Sequence, residues 1–178
     1  MASGKGCRAV FLDRDGVINE VVFRNGKPAS PRTLEEFRFC EGLEDALHRL
    51  SDAGLRLFII SNQPEIARGL LTPAVLEEIT KKILASLPVE RVLVCPHDDA
   101  DDCACRKPKP GIICSVEATD GIDLSKSFLI GDSWKDIQAG QHGGCKTILL
   151  KRAYNKNIRA DFVTDNLAQA VDLILGEI

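Results

Sequence analysis

The segment Ala9-Val10-Phe11-Leu12-Asp13-Arg14-Asp15-Gly16 decides the fold of this chain. Four consecutive apolar residues are typical of a buried strand, and Gly16 marks the loop that leaves it. Asp13 and Asp15 therefore stand at the carboxyl end of the strand, where open α/β sheets bind their ligands. Two neighbouring carboxylates repel each other, so they indicate a compensating cation, most simply Mg²⁺ held by oxygen ligands. For these residues alone, a solvated Asp-Gly turn is the alternative.

The composition is that of a chain with one well-formed core. Of the 178 residues, 44% are hydrophobic, which suits a single domain spanning residues 1–178. The net charge of −3 and the lack of a basic stripe argue against nucleic acid as a partner. No apolar run is long enough for a membrane span, and the first residues lack the apolar stretch of a signal peptide. We therefore expect a cytoplasmic protein with no membrane partner. A small domain with no obvious exposed apolar helix is also expected to be a monomer.

Apolar runs alternate with segments of helical periodicity along the whole chain. Strands are predicted at 9–12, 55–60, 91–95, 127–130, 145–150 and 162–164. Helices are predicted at 43–53, 73–86, 110–119, 134–141 and 166–175. Such alternation implies parallel strands with right-handed crossovers, and hence a three-layer, doubly wound α/β sheet of the Rossmann-like kind. The polar stretch 20–32 is predicted to be an exposed loop or flap over the site.

Polar side chains follow four of the predicted strands, and after the third strand they come at the end of a loop. They are Asp13 and Asp15, Ser61 and Asn62, Arg106 and Lys107, and Asp132 with Asp136. The carboxyl ends of parallel strands meet at one edge of the sheet, so the fold brings these groups together. One carboxylate can attack phosphorus, a second can protonate the leaving oxygen, and cations offset the phosphoryl charge. The set favours phosphoryl transfer, although single members have ordinary interpretations, such as a helix N-cap for Asp132.

These segments resemble the four motifs of the haloacid dehalogenase superfamily, in order and with suitable spacing. The matching residues are Asp13-Arg14-Asp15-Gly16, Ser61-Asn62-Gln63, Lys107-Pro108 and Gly131-Asp132-Ser133-Trp134-Lys135-Asp136. The resemblance implies a Mg²⁺-dependent phosphatase that forms an aspartyl-phosphate intermediate.

The resemblance also implies roles for individual residues. Asp13 would be the nucleophile and Asp15 the general acid/base. Ser61 would hydrogen-bond the transferring phosphoryl group, and Lys107 would balance its charge. The implied Mg²⁺ ligands are Asp13, Asp132 and the backbone carbonyl of Asp15. Asp136 would support these ligands without binding the metal directly. The implied substrate-binding residues are Asn62, Gln63, Arg106 and Lys107.

A second cluster lies in the loop 95–105, after the third buried strand. Cys95, His97, Cys103 and Cys105 place three sulfurs and one imidazole in one short segment. Three thiolates and an imidazole suit a tetrahedral, structural Zn²⁺ site, whereas the alternative is a flexible loop with reduced thiols. The rest of the loop is rich in aspartate and cannot form an apolar core, so a metal would explain how it becomes ordered. Such a metal would also fix the positions of the two basic residues that follow directly, Arg106 and Lys107.

The loop 95–105, called the zinc loop below, narrows the resemblance to one branch of the superfamily. The pattern Cys95-x-His97 and Cys103-x-Cys105-Arg106-Lys107-Pro108 resembles the capless branch that contains heptose bisphosphate phosphatases and histidinol-phosphate phosphatases. The short intervals between the motifs likewise leave no room for a cap domain.

The segment Ile66-Ala67-Arg68-Gly69 resembles the heptose enzymes. It implies a small phosphorylated sugar as substrate, and specifically the C7 phosphate of D-glycero-D-manno-heptose 1,7-bisphosphate in nucleotide-heptose and lipopolysaccharide precursor synthesis. Histidinol phosphate is the alternative substrate, and a non-catalytic zinc module that binds phosphorylated ligands is the alternative of another class. Pro64-Glu65 departs from the branch, because Glu65 would bring a negative charge near the substrate unless it points away.

Overall fold

The computed structural model of the protein describes residues 6–178. Residues 1–5 lie outside the described residues. The prediction that the first residues contain no signal peptide falls mostly on this segment. The strands are β1 (Ala9–Asp13), β2 (Val22–Arg24), β3 (Lys27–Ala29), β4 (Arg56–Asn62), β5 (Arg91–Cys95), β6 (Phe128–Gly131), β7 (Lys146–Leu150) and β8 (Phe162–Thr164). The helices are α1 (Leu43–Asp52), α2 (Pro73–Ser86), α3 (Gly111–Asp120), α4 (Trp134–Gly143) and α5 (Leu167–Glu177). Among the described helices, none combines the length and apolar character needed to cross a membrane.

Six strands form one parallel sheet, and their order places β1 inside it. The order is β5-β4-β1-β6-β7-β8, and each neighbouring pair runs parallel. β1 pairs with β4 on one side and with β6 on the other, so Phe11 lies between Phe58 and Leu129. The carboxyl ends of β5, β4, β1 and β6 are therefore neighbours at one edge of the sheet.

The helices cover both faces of the sheet and bury an apolar cluster on each. Val10 and Leu12 of β1 belong to the cluster shared with α1, α2 and α5. Ala9 and Phe11 belong to the cluster shared with α3 and α4. A strand that is covered on both faces needs apolar residues at every position, which explains the continuous apolar run of β1. These layers confirm the predicted three-layer α/β fold.

The flap, residues 20–32, has more regular structure than the predicted loop. β2 and β3 pair as an antiparallel hairpin, with Arg24 opposite Lys27. The turn between them has positive φ angles at Asn25 (51°) and Gly26 (73°), as a two-residue hairpin turn of the Asn-Gly type requires. The Asn-Gly pair is thus the sequence signal that indicates this hairpin.

Candidate active site

The strand ends form a cleft of about 580 Å³ at the carboxyl edge of the sheet. Its walls come from these strand ends, the flap, the zinc loop and the segment after β7. The predicted site residues that line it are Asp13, Asp15, Asn62, Arg106, Lys107, Asp132 and Asp136. The two other predicted site residues outside the zinc loop, Ser61 and Gln63, are fully buried.

Lys107 lies between two carboxylates in the wall of the cleft. Its Nζ is 2.5 Å from Asp13 Oδ1 and 2.6 Å from Asp136 Oδ1, and it also donates to the carbonyl of Ile60. Burial, followed by the facing carboxylate of Asp136, raises the pKa of Asp13 well above its ordinary value, although Lys107 opposes this shift. Burial alone would lower the pKa of Lys107, but the two carboxylates raise it above its ordinary value. The ammonium therefore stays charged beside the predicted nucleophile.

Asp15 is fixed by donors on all sides. Arg14 donates from Nε (3.2 Å) and Nη2 (3.0 Å) to Asp15 Oδ1, and Asn19 donates to the same oxygen (3.0 Å). The hydroxyl of Ser30 in the flap (2.8 Å) and the amide of Gln63 (2.7 Å) donate to Oδ2. Burial alone would raise the pKa of Asp15, but the Arg14 charge and the hydrogen bonds from Asn19, Ser30 and Arg14 lower it below its ordinary value. Asp15 is therefore an ionised carboxylate of fixed orientation next to Asp13.

The amides of Asn62 and Gln63 bind other parts of the site. Asn62 Nδ2 donates to the backbone carbonyl of Lys107 (2.9 Å), and Asn62 Oδ1 accepts from the Lys107 backbone N–H (3.0 Å). Gln63 Nε2 donates to Asp15 and also to Ser61 Oγ (2.7 Å). The sequence predicts substrate contacts for both amides and a phosphoryl contact for Ser61. In the structure, Asn62 positions Lys107, while Gln63 joins Ser61 to Asp15.

Arg106 extends from the zinc loop into the cleft. Its Nε donates to Asp99 Oδ1 (2.7 Å), and its Nη1 donates to the backbone carbonyl of His97 (3.1 Å). Only 8% of Arg106 is exposed. The position of this guanidinium therefore depends on the conformation of the loop.

Glu65, the departure noted in the sequence, is compensated by the flap. Its carboxylate is 2.9 Å from Arg32 Nη2 and also accepts from Arg32 Nε (3.1 Å). Glu65 lines the cleft, but its charge is paired with a guanidinium. Both guanidinium nitrogens contact the same oxygen, Glu65 Oε2, and this partly buried ion pair reduces the repulsion that the sequence leads one to expect between Glu65 and an anionic ligand.

Three carboxylates offer oxygen atoms for a metal ion. Ligand atoms of Asp13, Asp132 and Asp136 all lie within 4.8 Å of one another, and all three residues are buried. Burial, and then the carboxylate of Asp136, raises the pKa of Asp132 to about 6. Gly16, with a φ of 92°, makes room for Asp132, because a Cβ at Gly16 would collide with Asp132 Oδ2. Three acids around one lysine leave negative charge uncompensated, so the residues fit a hard divalent cation such as Mg²⁺.

The helix after β6 holds Asp136 in place. Ser133 is the N-cap of α4, and Asp136 Oδ2 accepts from the Ser133 backbone N–H (3.0 Å) and hydroxyl (2.6 Å) in a capping box. The alternative interpretation of Asp132 as the N-cap is therefore wrong, and its side chain is free to face the cleft. Trp134 lines the cleft with 48% of its surface exposed.

Two residues after β7 contact Asp132, and the sequence motifs do not include them. The hydroxyl of Tyr154 donates to Asp132 Oδ2, and Asn155 Nδ2 donates to the Asp132 backbone carbonyl (2.7 Å). Burial, and then the Asp132 carboxylate, raises the pKa of Tyr154 above its ordinary value, so the hydroxyl keeps its proton. Their only sequence signal is their place shortly after a predicted strand, at the same edge of the sheet.

The four predicted zinc ligands converge in the loop 95–105. Cys103 Sγ is 3.5 Å from Cys95 Sγ and 3.4 Å from Cys105 Sγ. His97 Nδ1 is 3.6 Å from Cys95 Sγ and 3.4 Å from Cys105 Sγ. Ligands about 2.3 Å from a tetrahedral Zn²⁺ are separated by about 3.8 Å, so the spacing is close to that of a zinc site. The donor set and the compact arrangement both fit the metal.

Known proteins resemble this chain over almost its whole length. Residues 104–170 match the family model described as HAD-hyrolase-like, in which HAD stands for haloacid dehalogenase. The chain is 30% identical over 182 residues to the D-glycero-beta-D-manno-heptose-1,7-bisphosphate 7-phosphatase of Bordetella bronchiseptica, covering 96% of this chain and 99% of the relative. It is 36% identical over 148 residues to the enzyme of the same name from Pseudomonas aeruginosa, covering 80% of each protein.

A solved structure agrees with these sequence relatives. The crystal structure of D,D-heptose 1.7-bisphosphate phosphatase from B. bronchiseptica, complexed with magnesium and phosphate, has a TM-score of 0.83 and 27% identity. The match covers 96% of this chain and 99% of that one. The chain therefore belongs to the haloacid dehalogenase superfamily, in the family of the D-glycero-D-manno-heptose-1,7-bisphosphate 7-phosphatases.

Proposed function

We propose that this protein is a Mg²⁺-dependent phosphatase that removes the C7 phosphate of D-glycero-D-manno-heptose 1,7-bisphosphate. The observation that carries the proposal is the pair Asp13 and Asp15 in the cleft, with the buried ammonium of Lys107 2.5 Å from Asp13. A nucleophile, an acid/base and a charge-balancing group are thus adjacent. The relatives support the choice of sugar, because those aligned along nearly the whole chain are named as phosphatases of this bisphosphate.

The reaction would proceed in two displacements at phosphorus. An Asp13 oxygen attacks phosphorus while the bond to the C7 oxygen breaks, and that oxygen takes a proton from Asp15. Asp15 then removes a proton from water, which attacks the aspartyl-phosphate and releases Asp13 and inorganic phosphate. Asp15 is ionised in the free protein. The negative charge of the bound phosphate raises its pKa, so substrate binding favours the protonated form that the first step needs.

Mg²⁺ would be held by Asp13, Asp132 and the backbone carbonyl of Asp15. When bound, it supplies positive charge to the phosphoryl oxygens. Asp136 contributes by holding Lys107 through their 2.6 Å ion pair. A relative's crystal structure contains magnesium together with phosphate, which supports this cofactor.

Competition between Mg²⁺ and protons gives a test of the metal site. The Asp132 pKa of about 6 lies above the ordinary value of about 3.9 for the unfolded chain. Between these values the folded protein binds more protons, so the stability contributed by Asp132 without metal falls as pH rises from about 4 to about 6. Mg²⁺ needs the ionised form, which at pH 5 is about one tenth of the molecules. Thermal denaturation should therefore show a clearly larger Mg²⁺-induced increase in Tm at pH 7.5 than at pH 5.

The control for this measurement is Asp132→Asn, which removes the ionisable group and keeps its size. It should show little Mg²⁺-induced stabilisation at either pH. An equal increase in Tm at both pH values for the unaltered chain would contradict the proposed site.

A structural Zn²⁺ bound by Cys95, His97, Cys103 and Cys105 forms the second part of the proposal. All four protein ligands are present, so no position is open for substrate and the role is structural. The metal would order a loop whose other side chains are mainly aspartates, and it would thereby fix Arg106 at the cleft.

A comparison of substrates tests the proposed function directly. Both anomers of D-glycero-D-manno-heptose 1,7-bisphosphate and histidinol phosphate should be supplied with Mg²⁺, and phosphate release measured. We expect kcat/KM to be at least about 10-fold higher for a bisphosphate anomer, because Arg106 can bind the phosphate that is not cleaved, and a charge-assisted contact contributes this much. Arg106→Met should reduce the preference. Faster release from histidinol phosphate would contradict the substrate, and release from none would favour the non-catalytic alternative.

A further inference from the structure

Tyr154 is the only tyrosine of the chain, and it lies between the flap and Asp132. Its hydroxyl donates to Asp132 Oδ2. The approach passes over Gly16, where a Cβ would lie 3.0 Å from the tyrosine oxygen. A side chain larger than hydrogen at this position would therefore crowd both Tyr154 and Asp132.

Tyr154 also packs against the flap. The ring of Phe23, on β2, lies edge-on to the Tyr154 ring, with centroids 6.1 Å apart and an interplanar angle of 68°. Phe23 is 61% exposed, so the flap presents a large apolar side chain that the core does not need. Edge-to-face contacts of this geometry are favourable and orient both rings.

Side-chain hydrogen bonds from Arg152 and Asn155 anchor the chain on both sides of Tyr154. Arg152 Nη2 donates to the carbonyl of Gly16 (2.8 Å). Asn155 Nδ2 donates to the carbonyls of Asp132 and Leu150, both at 2.7 Å. The segment 152–155 is therefore anchored to the loops after β1 and β6, and the Tyr154 ring lies between the Asp132 carboxylate and Phe23.

We propose that Tyr154 is a positioning residue that orients the Asp132 carboxylate for Mg²⁺ and makes the affinity for Mg²⁺ depend on the flap through Phe23. The inference rests on the proposed function, because Asp132 must be a metal ligand. A carboxylate that binds a metal through one oxygen is oriented by the hydrogen bond to its other oxygen, and loss of such outer partners typically weakens metal binding 10–100-fold. The flap carries Ser30, which donates to Asp15, so its position would influence both acids.

The first test measures Mg²⁺ binding without turnover. Tyr154→Phe keeps the ring and removes only the hydroxyl, and we expect its Kd for Mg²⁺, measured by calorimetry, to rise about 10-fold. NMR of the chain with ring-labelled tyrosine gives signals from Tyr154 alone. In the unaltered protein these signals should shift on addition of Mg²⁺ with the midpoint found by calorimetry. Unchanged affinity in Tyr154→Phe, or tyrosine signals that do not respond to Mg²⁺, would overturn the inference.

The second test examines the link to the flap. Phe23→Ala removes an exposed ring, and we expect a severalfold higher Kd for Mg²⁺, whereas the control Leu84→Ala, an exposed apolar residue of α2, should leave Kd unchanged. In the Tyr154→Phe background, Phe23→Ala should have no further effect, because the hydroxyl that transmits it is absent. Additive effects in the double variant would overturn the coupling. If the unaltered chain does not bind Mg²⁺, the proposed function is overturned as well. If it binds Mg²⁺ but the variants do not weaken binding, only the role of Tyr154 is overturned.

Discussion

Asp13→Asn is expected to abolish phosphate release from heptose 1,7-bisphosphate, with a fall in kcat of at least about 10³-fold. An amide oxygen is a poor nucleophile, so the variant cannot form the aspartyl-phosphate. The change keeps the size of the side chain and leaves a neutral group facing Lys107, whose ion pair with Asp136 remains. The measurement is phosphate release with Mg²⁺ present, together with the intact mass of rapidly quenched enzyme. Only the unaltered protein should gain the mass of one phosphoryl group.

A matched control separates chemistry from folding in this experiment. Asp45→Asn changes the same residue type at an exposed position of α1, away from the cleft, and should leave kcat unchanged. Thermal denaturation of both variants reports on the fold. Phosphate release by Asp13→Asn at the rate of the control would exclude Asp13 as nucleophile and, with it, the proposed mechanism.

The sheet could be predicted from the sequence because its strands are apolar at nearly every position. The run at β1 is buried on both faces, so no other element type fits it, and polar residues mark where it ends. Thr72 and Pro73 likewise mark the start of α2 as N-cap and first helical residue, and the helix begins there in the structure. Local signals of this kind predict the elements, and parallel pairing places the carboxyl ends of the strands at one edge of the sheet.

The rest of the site depends on contacts that no local pattern encodes. Arg32 and Glu65 are separated by 33 residues, and nothing in either segment indicates that they pair across the cleft. Tyr154 reaches Asp132 from 22 residues away, over a glycine whose role becomes visible only in three dimensions. Asn62 and Gln63 lie at the end of β4, as the sequence predicts, but the groups that their amides bind depend on neighbouring loops. Sequence motifs therefore predict which side chains lie at the strand ends better than they predict the contacts that hold those side chains.

The zinc loop gives the second large effect, since Cys103→Ser is expected to remove the metal. A hydroxyl is a poor ligand for Zn²⁺, and structural zinc sites contribute about 10–16 kcal/mol in small domains, so loss of one ligand should release most of the bound metal. Elemental analysis should find about one Zn²⁺ per unaltered chain and close to none in the variant. Cys114→Ser, at an exposed cysteine outside the loop, is the control and should keep its zinc.

Cys103→Ser should displace the side chain of Arg106 more than that of Lys107, and this difference should appear in the kinetics. Arg106 is held by Asp99 and by the carbonyl of His97, both inside the loop, so its guanidinium loses its position when the loop becomes disordered. Lys107 is also held by Asn62 at the end of β4, outside the loop, through hydrogen bonds of 2.9 and 3.0 Å. We therefore expect a larger rise in KM for the bisphosphate than fall in kcat. An unchanged KM in the zinc-free variant would show that the metal does not affect substrate binding. A fully folded unaltered chain without zinc would exclude the structural metal.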